Sequence, residues 1–138
     1  MTTGIVGMTG ARYTCPCCGY IVFDEPPGSY DICPICFWED DALQLEFADT
    51  LAGGANGVTL VAAQATFASL GACEGRLFAY VRPPGPDDHR DPAWRPIDTA
   101  LDSFPRWDAS PPGSGAPRVP PEGLYYWHPA FWYRPPVT

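Results

Sequence analysis

Two C-x2-C pairs, short β-branched runs and one capped segment of helical spacing predict a small α+β fold. Its class is a zinc ribbon with two CPxC knuckles, short antiparallel strands and one packed helix, followed by an irregular Pro-rich arm. The pairs are Cys15-Pro-Cys-Cys18 and Cys33-Pro-Ile-Cys36, with fourteen residues between them, one short of the usual ribbon spacing. Two residues between cysteines let a tight turn aim both sulfurs at one ion, and four thiolates at about 2.3 Å suit tetrahedral Zn²⁺. One structural Zn²⁺ on Cys15, Cys18, Cys33 and Cys36 is therefore expected. Iron also suits a tetrahedron of four cysteines, and disulfides or two redox pairs are the other readings of these residues.

The elements follow in chain order. Gly19 can take the positive φ that ends a knuckle. Tyr20-Ile-Val-Phe23 reads as a strand closed by the turn residues Asp24-Glu-Pro-Pro-Gly28, and Tyr20–Ile32 is long enough for a hairpin that carries the second knuckle back to the first. Ala42-Leu-Gln-Leu-Glu-Phe47 alternates imperfectly and is expected as a second strand. Gly53-Gly-Ala-Asn56 reads as a turn, because it lacks the Lys and Ser/Thr of a phosphate loop. Leu60, Ala63, Gln64, Phe67 and Leu70 recur at helical spacing, with Thr59 as N-cap and Gly71 as the left-handed stop. Leu77-Phe-Ala-Tyr-Val81 is expected as a third strand.

Charge and proline divide the chain of 138 residues unevenly. Residues 1–50 carry eight acids against Arg12 alone, and fourteen of the 18 prolines lie in residues 83–138. Such a proline density cannot sustain helices or central strands. The expected organisation is a disordered extension over 1–10, a zinc-ribbon body over 11–82 and an arm over 83–138, with a loose linker near Ser110–Pro121. The formal net charge of −8 argues against a nucleic-acid partner, and no run of 18 apolar residues exists to span a membrane. Residues 1–10 lack a positive n-region and a long apolar core, so a cytoplasmic location is expected, where thiols stay reduced.

Other groups are candidates for chemistry. Cys17 lies outside the paired ligands. It either caps the knuckle as a small apolar residue or acts as a redox or accessory thiol. Cys73 reads as a buried small residue. Trp38-Glu39-Asp40-Asp41 follows the second knuckle directly: Trp38 is expected to pack over the zinc site or the hairpin, the acids read as a solvated face or a cation site, and the group is a candidate for binding a partner. Asp87-Asp88-His89 and Asp91 bring carboxylates beside a histidine without a rigid scaffold. Tyr125–Tyr133 holds six aromatics in nine residues. It can fill a small core or, through Trp127 and Trp132, dock on another protein.

Cys15-Pro-Cys-Cys-Gly-Tyr20, Pro26-Pro-Gly-Ser-Tyr30, Ile32-Cys-Pro-Ile-Cys36, Trp38-Glu-Asp-Asp41, Gly53-Gly-Ala-Asn56 and Leu60…Ala63-Gln64…Phe67 together resemble the bacterial cysteine-rich CPCC family of small zinc-ribbon proteins. The resemblance is specific over residues 13–73 and looser to Ile97. It implies Cys15, Cys18, Cys33 and Cys36 as ligands and implies no reaction. The expected function is a zinc-binding, non-enzymatic module that recognises an unknown protein partner. The alternatives are a thiol redox or metal-sensing protein using Cys17 and, third, a nucleic-acid accessory protein.

Overall fold

The computed structural model describes residues 13–107 and 121–133. Two strands, β1 (Tyr13–Thr14) and β2 (Ile21–Phe23), pair antiparallel with Tyr13 opposite Phe23 and Thr14 opposite Ile21, and a bulge separates the two pairs. They flank the first knuckle. The second knuckle has its own smaller hairpin, closed by an antiparallel bridge between Ile32 and Glu39. The single hairpin expected over Tyr20–Ile32 is thus replaced by one hairpin around each knuckle. Each knuckle's own turn brings its flanks together at a far smaller loop-closure cost.

Ala42–Glu46 is a helix, α1, not a strand. Asp41 caps it, its carboxylate accepting from the amides of Leu43 at 2.9 Å and Gln44 at 3.2 Å. Ala, Leu, Gln and Glu are all good helix formers, and an acidic cap outweighs an imperfect alternation. Gln44 is fully buried and satisfied: its amide nitrogen donates to the carbonyls of Leu51, Asn56 and Val58, and its oxygen accepts from Asn56. This network fixes the Gly53–Asn56 turn. A buried amide with all its bonds made specifies one arrangement of the loop around it.

Helix α2 (Leu60–Leu70) forms as the sequence predicts, with the Thr59 hydroxyl accepting from the Ala62 amide and Gly71 left-handed at φ 88°. It buries Leu60, Ala63 and Gln64. The third expected strand, over 77–81, is instead a 3₁₀ helix, Gly75–Tyr80, with none of its residues buried. The free edge beside β2 is taken from further along the chain: the Ile21 amide donates to the His89 carbonyl at 2.9 Å, and Tyr20 bridges Arg90.

The core is built on the cysteines. All six are buried with Phe23, Ile35, Trp38, Leu45, Leu60 and Ala63. The aromatic tail folds back into the same cluster. Leu124, Tyr125 and Tyr126 are buried, the Tyr125 hydroxyl donates to the Thr14 carbonyl at 3.0 Å, and the Tyr126 hydroxyl donates to the Arg95 carbonyl. Tyr125 stacks on Trp127 with ring centroids 4.5 Å apart. The expected extension over residues 1–10 and, save for Pro121, the expected linker lie outside the described residues.

Candidate metal centre

The two knuckles share one backbone pattern. In the first, the Cys15 amide donates to Tyr20 O at 2.9 Å and the Gly19 amide to Cys15 O at 2.8 Å. In the second, the Cys33 amide donates to Trp38 O at 2.9 Å and the Phe37 amide to Cys33 O at 2.8 Å. The fifth residue of each is left-handed, Gly19 at φ 83° and Phe37 at φ 72°. Each turn thereby points its two sulfurs inward. The sulfurs of Cys15, Cys18, Cys33 and Cys36 are all buried and lie within 4.8 Å of one another. Across the knuckles, Cys15 Sγ is 3.6 Å from Cys36 Sγ, and Cys18 Sγ is 3.7 Å from Cys33 Sγ. A tetrahedron with metal–sulfur bonds of about 2.3 Å has edges of about 3.8 Å, and the two cross-knuckle distances match such edges. Among the described residues no other group of three or more His, Cys, Asp or Glu is placed this way.

Packed together without a cation, these thiols resist shared ionisation. Burial pushes Cys15 and Cys36 well above the ordinary thiol range. Burial acts the same way on Cys33, but hydrogen bonds from the Cys15, Cys18 and Cys36 thiols and from backbone N–H outweigh it, and Cys33 is held well below that range. The Ile35 amide lies 3.4 Å from Cys33 Sγ and supports the thiolate. A divalent cation held by Cys15, Cys18, Cys33 and Cys36 would supply the charge that lets the remaining sulfurs ionise.

The outer side of the first knuckle is strapped. Pro16 O accepts from the Gln64 side-chain amide at 2.9 Å and from the Trp94 indole at 3.0 Å. Cys18 O accepts from Arg90 Nε at 3.1 Å and Nη2 at 3.0 Å, and Gly19 O accepts from the Asp91 amide at 2.8 Å. The Arg90 guanidinium lies over the rings of both Tyr20 and Trp94, 4.9 and 5.1 Å from their centroids. Gln64 also donates to the Tyr126 hydroxyl and accepts from the Ile97 amide. Asp91 accepts from the Thr14 hydroxyl at 2.7 Å and the Trp127 indole at 3.3 Å. A Cβ on Gly19 would sit 2.5 Å from the Trp94 ring, so the glycine serves both a backbone angle and a close approach.

Several residues singled out in the sequence stand elsewhere than at a surface. Trp38 is fully buried, and Asp40 and Asp41 are buried with it. In this fold they cannot offer their side chains to a partner. Trp38 fills the core, Asp41 caps α1 and accepts from the Ala55 amide at 3.0 Å, and Asp40 accepts from the Ser29 hydroxyl at 2.7 Å. Burial raises the Asp40 carboxyl to about 6. Glu39 is half-buried, and Trp127 and Trp132 pack partly buried against the core. Cys17 is 1 % exposed, and burial pushes its thiol up. Cys73 is fully buried and raised to about 12, again by burial. Asp88 pairs with Arg82 while Asp91 holds Thr14, so the Asp87–Asp91 stretch does not converge on one site.

Gln64, Arg90 and Trp94 are residues that reading the sequence for ligands passes over. For Gln64 the signal is a polar side chain on the apolar face of a helical pattern. Arg90 and Trp94 carry none, because their partners are backbone carbonyls more than seventy residues away.

No curated protein and no solved structure matches the chain. The family model of the cysteine-rich CPCC proteins matches residues 13–88, which contain all four clustered sulfurs and both knuckle turns. By that match, and with the four-cysteine cluster its motif describes assembled in the fold, the chain belongs to the cysteine-rich CPCC family.

Proposed function

We propose that the chain binds one Zn²⁺ as a structural ion, catalyses no reaction, and works in the cytoplasm as a module that binds another protein. The observation that carries the metal reading is the buried set of four sulfurs within 4.8 Å of one another, with the two cross-knuckle pairs 3.6 and 3.7 Å apart. Four thiolates fill all four positions of a zinc ion and leave none for a reactive water, which is the hallmark of a structural rather than a catalytic site. Zinc is preferred over iron because the expected role needs no electron transfer and zinc carries no redox chemistry. Six free thiols suit a reducing compartment. The burial of Cys17 and Cys73 argues against the redox alternative, since a sensing thiol needs access and thiolate character.

Elemental analysis of protein purified under reducing conditions tests the metal: one zinc per chain is expected, and iron or no metal refutes it. Chemical cross-linking of the zinc-loaded protein in a native lysate tests the module reading. A specific protein partner, lost after metal removal, is expected.

A further inference from the structure

The outer face of the second knuckle carries an open channel. Three hollows of about 130, 420 and 400 Å³ adjoin there and share their walls. Ile32 and Phe37 stand between the first and second, and Pro34 and Arg82 between the second and third. One bank is the knuckle itself. The other is the 3₁₀ helix Gly75–Tyr80, in which side chains three apart align, so that Leu77 and Tyr80 face the same way. Tyr80 packs on Phe37 with centroids 5.5 Å apart yet stays 67 % exposed, and Ile32 stays 46 % exposed. Aromatic and aliphatic groups clustered in a hollow and left open to water mark an interaction surface.

The charges around the channel select its occupant. Both arginines that line it are already paired, Arg76 with Glu74 at 2.9 Å and Arg82 with Asp88 at 2.7 Å. That leaves Glu39 in the first hollow and Asp87 in the third, neither paired with any described cation. The channel is therefore apolar at its centre and uncompensated negative at both ends. A second copy of this chain would bring a further formal charge of −8, and nucleic acid or an anionic membrane would be repelled likewise.

We propose that this channel is a docking groove for an extended protein segment with an apolar centre and Lys or Arg on either side. The inference rests on the binding-module reading and assigns its surface and the chemistry of its partner. The apolar side chains of the segment settle between Ile32, Pro34 and Tyr80, and its cations meet Glu39 and Asp87.

The test selects random twelve-residue peptides on the immobilised zinc-loaded protein and measures the best binder by fluorescence anisotropy. The enriched sequences should carry an apolar centre flanked by Lys or Arg. Affinity should fall tenfold or more in Tyr80→Ala or Ile32→Ser and several-fold in the Glu39→Gln, Asp87→Asn double variant. Leu101→Ala, which removes an 80 % exposed apolar side chain outside the groove, should leave it unchanged. Ile32, Tyr80, Asp87 and Leu101 are exposed and Glu39 is half-buried, and zinc content checks that each variant is folded. Enrichment of acidic peptides, no enrichment over bare support, or a binder indifferent to Tyr80→Ala would overturn the assignment. So would a dimer in sedimentation that Ile32→Glu dissolves. A partner cross-linked in lysate that binds Tyr80→Ala undiminished overturns the groove and leaves the module reading standing. Absence of any cross-linked partner counts against the module reading alone.

Discussion

The two knuckles have the same hydrogen-bond pattern and opposite surroundings. The first turns on Gly19 and is covered: Pro16 and Gly19 are buried, and remote side chains occupy the carbonyls of Pro16 and Cys18. The second turns on Phe37 and is open: Pro34 is exposed and Phe37 lies over a groove. Holding Phe37 left-handed costs about 1–2 kcal/mol that a glycine would not. The difference teaches what sets residue choice in a metal knuckle. The turn alone asks for glycine in both. Where a ring must lie against the backbone only glycine fits, and where the fifth residue faces outward a side chain is tolerated despite the strain.

The largest effect should come from breaking what both knuckles share. Cys15→Ser and Cys33→Ser should each abolish zinc binding and, with it, the cooperative melting transition, because the four sulfurs that the ion would tie together sit within the buried cluster itself. Near-UV circular dichroism with metal analysis checks both. A Cys33→Ser protein that melts like the wild type would show that the second knuckle is dispensable.

The next experiment exchanges the fifth residues. Gly19→Ala adds left-handed strain and drives a Cβ into Trp94, and it should cost about 2–4 kcal/mol. Phe37→Gly relieves strain and loses the contact with Tyr80, and the two should nearly cancel, to within about 1 kcal/mol. Thermal denaturation of the zinc-loaded variants measures both. Equal losses would mean that the surroundings do not distinguish the knuckles.

A smaller effect depends on pH. The second knuckle stands on a hairpin in which the Tyr30 amide donates to Asp40 O, the Asp40 amide donates to Asp31 O, and the Asp40 carboxyl takes the Ser29 hydroxyl. Burial raises that carboxyl from 3.8 to about 6. A raised acid is most favourable to the fold when protonated, so its contribution is full below about 4 and is lost as pH rises through about 6. Lowering the pH from 7.5 to 5.5 should stabilise the wild type relative to Asp40→Asn by on the order of 1 kcal/mol. The difference between the two proteins isolates this carboxyl from the thiols they share. A difference that does not change with pH would contradict the assignment.

The smallest effect is expected at Cys17, beneath the strap. Cys17→Ala should keep one zinc per chain and leave the rate of zinc release under peroxide nearly unchanged, because the thiol is buried as packing. A several-fold slower release in the variant would move the redox reading ahead of the binding one.

What is legible in the sequence follows the same divide between near and far. Cys15, Cys18, Cys33 and Cys36 can be read because the spacing within each knuckle is itself the geometry. Helix α2 can be read because both of its caps are local. Ala42–Glu46 reads wrongly as a strand when its weak alternation is set above the Asp41 cap. Leu77–Val81 reads wrongly because nothing local shows that the edge beside β2 is filled by His89 and Arg90. Asp40 and Asp41 look like a solvated face because an acidic run does not tell an exposed turn from one turned inward.

The strap from Arg90 to Cys18 O has a consequence for the order of assembly. The cross-knuckle sulfur pair Cys15–Cys36 closes 21 residues of chain, whereas the Arg90 contact closes 72. The entropic cost of loop closure grows with the logarithm of length, which makes the longer loop dearer by about 1 kcal/mol and slower to form. During synthesis both knuckles leave the ribosome before Arg90 has been added. An ion taken up at that stage would enter a first knuckle whose carbonyls still face water, and the later residues would seal it in place. A chain interrupted before Arg90 would be able to load metal, but it would give that metal up more readily than the finished protein.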